Sequence, residues 1–276
     1  MPTWPFAPHA TFSDNSVPKV TSTYINEWEA AHNALFFHAY LQRPQMRVYC
    51  TDGANVVGYV SPRVIKDSAT AEYRYVGGGA LFITPSELET PDVAWPVSSW
   101  LYLYATCVNG VIVWKVSTTA PTVISPDGSS FSAQPLFKTG DETKRYICSL
   151  YSDGSSVLTR FHRVDNVTTL IDEAMVVPAS AGNTSWQTVS LSTYVPAHAV
   201  EVDLCGQLDN YAATYRTLFL TFAGDSPASP RNIITRADSF NSVDLAVYLL
   251  GASFRWKTDS NALDHEVRVA VRSWKD

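Results

Sequence analysis

Residues 100–117 read WLYLYATCVNGVIVWKVS, two β-rich runs on either side of the dipeptide Asn109-Gly110. This dipeptide favours a two-residue turn and is the strongest short-range signal for a β-hairpin. The register that follows pairs Cys107 with Ile112, Ala105 with Trp114 and Leu103 with Val116. One face of the hairpin is then wholly apolar, and the other carries Tyr102, Tyr104, Thr106, Lys115 and Ser117. A strand pair with one dry and one polar face is typical of a sheet that covers a sandwich core.

Period-two alternation extends the same architecture along most of the chain. Further strands are predicted at 47–50, 56–60, 72–76, 80–83, 187–191, 199–204 and 217–222. Two more hairpins are expected, one joining 146–151 to 157–163 across Asp153-Gly154 and a closing pair of 252–257 with 265–273. In the last strand Val267, Val269 and Val271 alternate with charged residues, which predicts one buried face. The pattern predicts a mainly β fold of antiparallel, jelly-roll-like β-sandwich modules.

The first 45 residues differ in character from the rest. Residues 1–21 contain four prolines, a composition that favours an extended arm because proline fixes φ and removes a backbone donor. A short α-helix is predicted from residue 22 or 23 to about 41, with a capping hydroxyl and an apolar stripe that includes Trp28. Aromatic side chains on an arm need a surface to cover them. Trp4, Phe6, Phe12 and Trp28 are therefore the candidate anchors for assembly, with packing of the arm on its own body as the alternative.

Composition narrows the classes of function. The net charge of −6 is spread out, and no run of lysine or arginine could neutralise phosphates, which argues against nucleic-acid binding. No stretch is apolar for long enough to span a membrane, and the N-terminus does not resemble a signal peptide, so we expect a chain made in the cytoplasm. With 14 Tyr, 12 Phe and 8 Trp but only 17% charged residues, the surface favours contacts with other chains or with sugars.

No motif in the chain calls for a cofactor or a metal ion. The four cysteines are far apart, without a CxxC pair or a nearby histidine that could complete a zinc site. Cys107 and Cys148 lie in alternating strands and are predicted to be buried thiols. We expect no metal-binding, cofactor-binding or catalytic residue.

Three arrangements that superficially resemble catalytic motifs are interpreted as structural. Gly224-Asp225-Ser226 follows a strand, as in GDS-type lipases and esterases, but Pro227 departs from that motif. Asp264-His265 would point to opposite faces of a strand. The acidic residues Glu87, Glu89 and Asp92 lie between prolines and are expected to form a polar loop rather than a glycosidase pair.

The tyrosines on the polar face of the hairpin raise a second class of function. Tyr102 and Tyr104 present planar apolar faces that suit the C–H faces of pyranose rings, so contact with a glycan is one interpretation. Burial by a second sheet or by a neighbouring subunit is the other.

Several strings resemble a module of tailed-bacteriophage virion proteins, notably tail fibres and related appendages. They are SSWLYLYATCVNGVIVWKVSTTAP (98–121), FKTGDETKRYICSLYSDGSSVLTRFHR (137–163), SWQTVSLSTYVPAHAVEVDL (185–204) and STYINEWEAAHNAL (22–35). The order of these strings also matches. Cys148 stands where such proteins commonly have glycine, and the chain has no long repetitive shaft.

The resemblance implies a non-enzymatic structural component of a phage virion. We expect attachment to other virion proteins through residues 1–45, a β-sandwich module at 46–167 and a second β-rich module at 168–276, with one continuous β domain as the alternative to two modules. By analogy with such appendages it implies a homotrimer located in the virion. The alternatives are a capsid decoration protein and a receptor-binding module for host-surface glycans, with a depolymerase or esterase the least favoured.

Overall fold

The hairpin predicted around Asn109-Gly110 is present in the computed structural model. Asn109 and Gly110 have φ values of 52° and 82°, as a two-residue turn with two left-handed positions requires. The register is the predicted one, with Cys107 opposite Ile112 and Leu103 opposite Val116. A local turn signal therefore fixed the pairing of two whole strands.

The structure describes residues 46–61, 63–76, 78–123, 136–222, 231–236, 239–248 and 253–276. Within these ranges it has one 3-10 helix, Pro85–Glu87, and the following strands: β1 Arg47–Cys50, β2 Val56–Val60, β3 Arg63–Lys66, β4 Tyr73–Val76, β5 Gly79–Ile83, β6 Ser99–Val108, β7 Val111–Ser117, β8 Pro121–Val123, β9 Leu136–Lys138, β10 Asp141–Ser152, β11 Phe161–Val164, β12 Val167–Ser180, β13 Gln187–Ser190, β14 Glu201–Asn210, β15 Arg216–Phe222, β16 Arg231–Thr235, β17 Ser239–Tyr248, β18 Ser253–Thr258 and β19 His265–Lys275. The predicted arm and helix lie outside the described residues.

The strands form antiparallel sheets, which confirms the predicted mainly β sandwich class. An eight-stranded sheet has the order β17-β14-β19-β12-β11-β1-β2-β5, a five-stranded sheet has the order β7-β6-β10-β9-β8, and a four-stranded sheet has the order β13-β18-β15-β16; β3 and β4 form a separate pair. The largest sheet takes strands from both predicted modules, 46–167 and 168–276, and the boundary between them stays a prediction. No helix in the described ranges is long and apolar enough to cross a membrane.

One apolar core joins the three larger sheets. It contains Val48 and Val269 from the eight-stranded sheet, Leu103 from the five-stranded sheet, and Leu218 and Phe254 from the four-stranded sheet, each fully buried. The predicted inward face of β19 is confirmed, since Val267, Val269 and Val271 are all buried. Alternation of period two therefore puts these side chains into a shared interior, which is the main source of stability in such a fold.

Two of the predicted hairpins are wrong. Asp153-Gly154 does make a turn, with Asp153 N donating to Val157 O at 2.9 Å, but the chain then leaves β10 and β11 pairs with β1 and β12. Likewise β18 pairs with β13 and β15, whereas β19 pairs with β12 and β14. Consecutive strands cross between sheets at both places. A turn dipeptide reports a change of direction and does not specify the sheet that the next strand joins.

A carboxylate distant in sequence holds the tip of the decisive hairpin. Asp67, fully buried, accepts hydrogen bonds from Gly110 N at 2.9 Å and Asn109 N at 3.3 Å, and from Ala69 N at 2.9 Å. Burial alone would raise its pKa, but these backbone amides hold the pKa of Asp67 at about 2. The turn is therefore fixed both by its own dipeptide and by an ionised group contributed by the chain about 40 residues earlier.

Candidate functional site

The second face of β6 carries a row of aromatic residues, which we call the aromatic face. Trp100, Tyr102 and Tyr104 alternate with the core residues of β6, and the antiparallel register places Tyr151 opposite Trp100 and Tyr146 opposite Tyr104. The ring centroids lie 5.1 Å apart for Trp100 and Tyr151 and 6.2 Å apart for Tyr104 and Tyr146. These separations are those of favourable aromatic pairs.

A β-bulge in β10 makes the aromatic face continuous. The register shifts between Tyr146 and Cys148, so that Ile147 is the extra residue on that strand. Ile147 and Cys148 are both buried in the main core. Because the bulge changes the alternation by one residue, Tyr146 lies on the same face as Ser149, and their side-chain oxygens are 2.8 Å apart.

Residues 191–199, which we call the covering segment, lie over much of this face. Trp100 Nε1 donates to Ser192 O at 2.9 Å, and the His198 ring lies 5.7 Å from Tyr102 and 4.8 Å from Tyr146. Val195 anchors the segment, since its side chain is 2% exposed and belongs to the main core. Its N–H donates to Leu191 O at 2.9 Å within the segment. A loop of the same chain thus takes the place of a second sheet or a neighbouring subunit.

Tyr102 and Tyr104 are buried, so of the two interpretations of this face, glycan contact or burial, the structure supports burial. Their exposed fractions are 5% and 0%. Tyr102 lies beneath His198, whereas Tyr104 packs with Ala120 and Leu136 and donates its hydroxyl hydrogen to Thr119 O at 2.7 Å. Neither ring has a free face on which a glycan could stack.

A polar cluster lies beneath the covering segment. Asp276 Oδ2 accepts from Arg163 Nη1 and from the hydroxyl of Tyr146, each at 2.5 Å. His198 Nε2 lies 2.9 Å from the Tyr146 hydroxyl and 3.3 Å from Ser149 Oγ. All of these side chains are at most 10% exposed. The cluster therefore ties the covering segment, β10, β11 and the end of the chain to one another.

Burial and charge act in opposite directions on the ionisable groups of this cluster. Burial would raise the pKa of Asp276, but the Arg163 charge and hydrogen bonds from His198 and Tyr146 hold it at about 2. Burial, reinforced by the Asp276 carboxylate, raises the pKa of the Tyr146 phenol well above its ordinary value. Asp276 and Arg163 are thus an ionised pair, and Tyr146 is a neutral hydrogen-bond donor.

The cluster combines serine, histidine and aspartate without the geometry of a hydrolase triad. Ser149, Tyr146 and Asp276 all approach the same ring atom, His198 Nε2, while Nδ1 has no partner among the described residues. A triad needs the acid on one ring nitrogen and the nucleophile on the other. Ser149 is also completely buried. The arrangement suits a structural tie better than proton transfer to a substrate.

Asp264 and His265 do interact, contrary to the sequence expectation. Asp264 comes just before β19, outside the strand alternation, and its Oδ1 lies 2.9 Å from His265 Nδ1. The Arg216 guanidinium and His265 both donate to Asp264 and lower its pKa to about 2. His265 is 3% exposed and packs tightly against Gly182. Ser226, the nucleophile considered with this pair, lies outside the described residues.

The other candidate residues either have structural roles in the fold or lie outside the described residues. Glu87 closes a capping box with Thr84, and Glu89 pairs with Lys138 and Lys144, so both have structural partners. All four cysteines are buried free thiols, which confirms the prediction for Cys107 and Cys148. Trp4, Phe6, Phe12 and Trp28 lie outside the described residues. No group of three potential metal ligands occurs in the described part of the chain.

A cavity of about 290 Å³ opens where the aromatic face meets the covering segment. Four aromatic and four smaller side chains line it: Trp100, Tyr151, Tyr194, Trp274, Thr159, Leu170, Ala174 and Thr193. This cavity was not predicted from the sequence. The alternation of β6 could have indicated Trp100, because it shares a strand face with Tyr102 and Tyr104. No sequence pattern indicated Tyr194 and Trp274, since both reach the cavity from elements more than 90 residues further along the chain.

Comparisons with known proteins do not identify a family. No protein-family model and no curated protein match the chain. Among solved structures it is similar to an exo-β-1,3-galactanase from Phanerochaete chrysosporium, with a TM-score of 0.23 and 8% identity over 81% of this chain and 55% of the galactanase. It is also similar to a Cry1Da tryptic core variant from Bacillus thuringiensis, with a TM-score of 0.25 and 9% identity over 87% of this chain and 54% of that one. The chain spans about half the length of each, and similarities at these scores carry no functional argument.

Proposed function

We propose that this chain is a non-enzymatic structural component of a tailed-phage virion, a tail fibre or related appendage. It is attached to other virion proteins through its N-terminal region and assembles, by analogy, as a homotrimer. The proposal rests on the resemblance of residues 98–121, 137–163 and 185–204 to modules of such proteins.

One structural observation supports this use of the resemblance. The three strings are separated in sequence but pack together, because Trp100 and Tyr102 from the first and Tyr146 from the second contact Ser192 and His198 from the third. A module that recurs in different proteins keeps its internal contacts, and strings that pack on one another are what such a module requires.

The polar cluster beneath the covering segment also supports a structural role. Its buried histidine and carboxylate connect elements of the fold, and its serine has no exposed surface. Groups held in this way stabilise one arrangement of the chain rather than meeting a substrate.

The proposal is tested by measuring whether the chain is incorporated into phage particles. Phage particles from the producing culture are purified by density gradient, and the chain is detected by mass spectrometry and by antibody labelling of residues 46–276. We expect the full chain to be present in particles, whereas a variant lacking residues 1–21 folds normally but is missing from them.

The control is the circular dichroism spectrum and melting temperature of the truncated protein, which must match the full chain. Absence of the full chain from particles, or normal incorporation of the truncated chain, would overturn the proposal.

A further inference from the structure

We propose that the cavity at the end of the aromatic face binds a single neutral pyranose ring. This inference is independent of the virion role, because it rests on the walls and the polar groups of the cavity alone. Its volume of about 290 Å³ lies at the lower end of the range of small-molecule sites, which is roughly 300–1,000 Å³. One sugar ring is therefore a suitable occupant, and a longer chain would have to extend outside.

The aromatic walls are set at an angle to one another. Trp100 and Trp274 meet edge to face, with ring centroids 5.8 Å apart and planes at 88°, and Tyr151 is tilted by 54° against Trp100. The negative face of an aromatic ring attracts polarised C–H groups. A pyranose presents such C–H groups on its faces, so angled walls can contact more than one side of the ring.

The polar groups that line the cavity are hydroxyls, which suit a ligand that has hydrogen-bonding oxygens. The indole Nε1 of Trp274 has no acceptor among the described residues, but that atom is shielded from the cavity and does not take part.

The hydroxyls of Thr159 and Thr193, which also line the cavity, hydrogen-bond to none of the described side chains or backbone groups. Each hydroxyl can act as donor or acceptor, which suits the hydroxyls of a sugar.

The absence of charge among the eight lining residues favours neutral ligands over charged ones. None of the eight lining residues is ionisable at neutral pH. A carboxylate, phosphate or ammonium group would lose its hydration there without gaining a counter-charge. The cavity therefore favours neutral hexoses, deoxyhexoses or N-acetylhexosamines over uronic acids, sialic acids or phosphorylated sugars.

The experiment is calorimetric and fluorescence titration of the full chain with a panel of neutral and acidic monosaccharides, and with neutral oligosaccharides. We expect a neutral sugar to bind with a Kd of about 1 mM or tighter and acidic sugars not to bind. Binding of free monosaccharides would place a free ring in the cavity, whereas binding of oligosaccharides alone would place the end of a glycan there. Either result supports the proposal.

Matched variants assign the binding to the cavity. Y194A removes one aromatic wall and should weaken binding about tenfold. Y211A removes a tyrosine that is 62% exposed near the opposite end of β19, and should bind like the unmodified chain. T193V keeps the shape of the side chain but removes a hydroxyl, and should also bind more weakly, so that the assignment does not depend on Y194A alone.

The result that would overturn the proposal is specific. If no neutral sugar gives a saturable signal, or if Y194A, T193V and Y211A bind equally well with unchanged melting temperatures, the cavity is not a sugar site.

Discussion

At the scale of single residues, the most consequential contact is the ion pair of Arg163 and Asp276. Both side chains are at most 4% exposed, and the two charged atoms are 2.5 Å apart. A buried ion pair stabilises the fold by less than its Coulomb attraction suggests, because both charges lose their hydration. Removing one partner is strongly destabilising, because the other charge is then buried without a counter-charge. The pair therefore makes the fold sensitive to the loss of either member.

This predicts a large difference between two arginine substitutions. R163M leaves Asp276 without its cation and should lower the free energy of unfolding by about 3–5 kcal/mol. R160M removes the exposed pair of Arg160 and Asp172, whose side chains are 47% and 59% exposed, and should change stability little. Urea unfolding measures both variants, and equal losses would contradict the buried pair as a stabilising tie.

At the scale of elements, the β6–β7 hairpin is stabilised by an acceptor from outside itself. Asp67 is buried and receives the amides of Asn109 and Gly110. Asp52 makes similar bonds to Ala54 N and Asn55 N, both at 2.9 Å, but it is exposed and lies in its own turn. The two aspartates form a natural comparison.

We expect D67N to lower Tm by about 3–8 °C, because one acceptor oxygen is replaced by an amide that faces backbone donors. D52N should lower Tm much less, since water can accept hydrogen bonds from the exposed amides of that turn. Differential scanning calorimetry of both variants gives the comparison. A shift for D67N no larger than that for D52N would show that the dipeptide alone holds the turn.

The elements also show what could be predicted from the sequence. Asn109-Gly110 predicted its hairpin in register because both strands are local to the turn. The pairing of β19 with β14 could not be predicted in this way, because it depends on how strands distant in sequence sort between sheets. The element that buries Tyr102 could not be predicted for the same reason, since His198 lies almost 100 residues further along the chain. Asp67 gave no signal, being an isolated aspartate without a motif.

At the scale of the whole molecule, buried and paired carboxylates determine the response to acid. The pKa values of Asp67, Glu89 and Asp276 are each about 2, against ordinary values of 3.8 for aspartate and 4.5 for glutamate. In each case burial alone would raise the pKa, but hydrogen bonds or nearby cations lower it by more. The unfolded chain therefore binds more protons than the folded one at acidic pH.

The sign of the pH dependence follows from these depressed values. Their contribution to stability is fully present above about pH 4.5 and is lost progressively as the pH falls to about 2. Urea unfolding at a series of pH values should show a plateau near neutrality and a decline across that window. In R163M the decline should be shallower, because Asp276 loses the Arg163 charge, the largest of the influences that lower its pKa. Stability that stays constant down to pH 2.5, or a slope unchanged in R163M, would contradict this account of the buried charges.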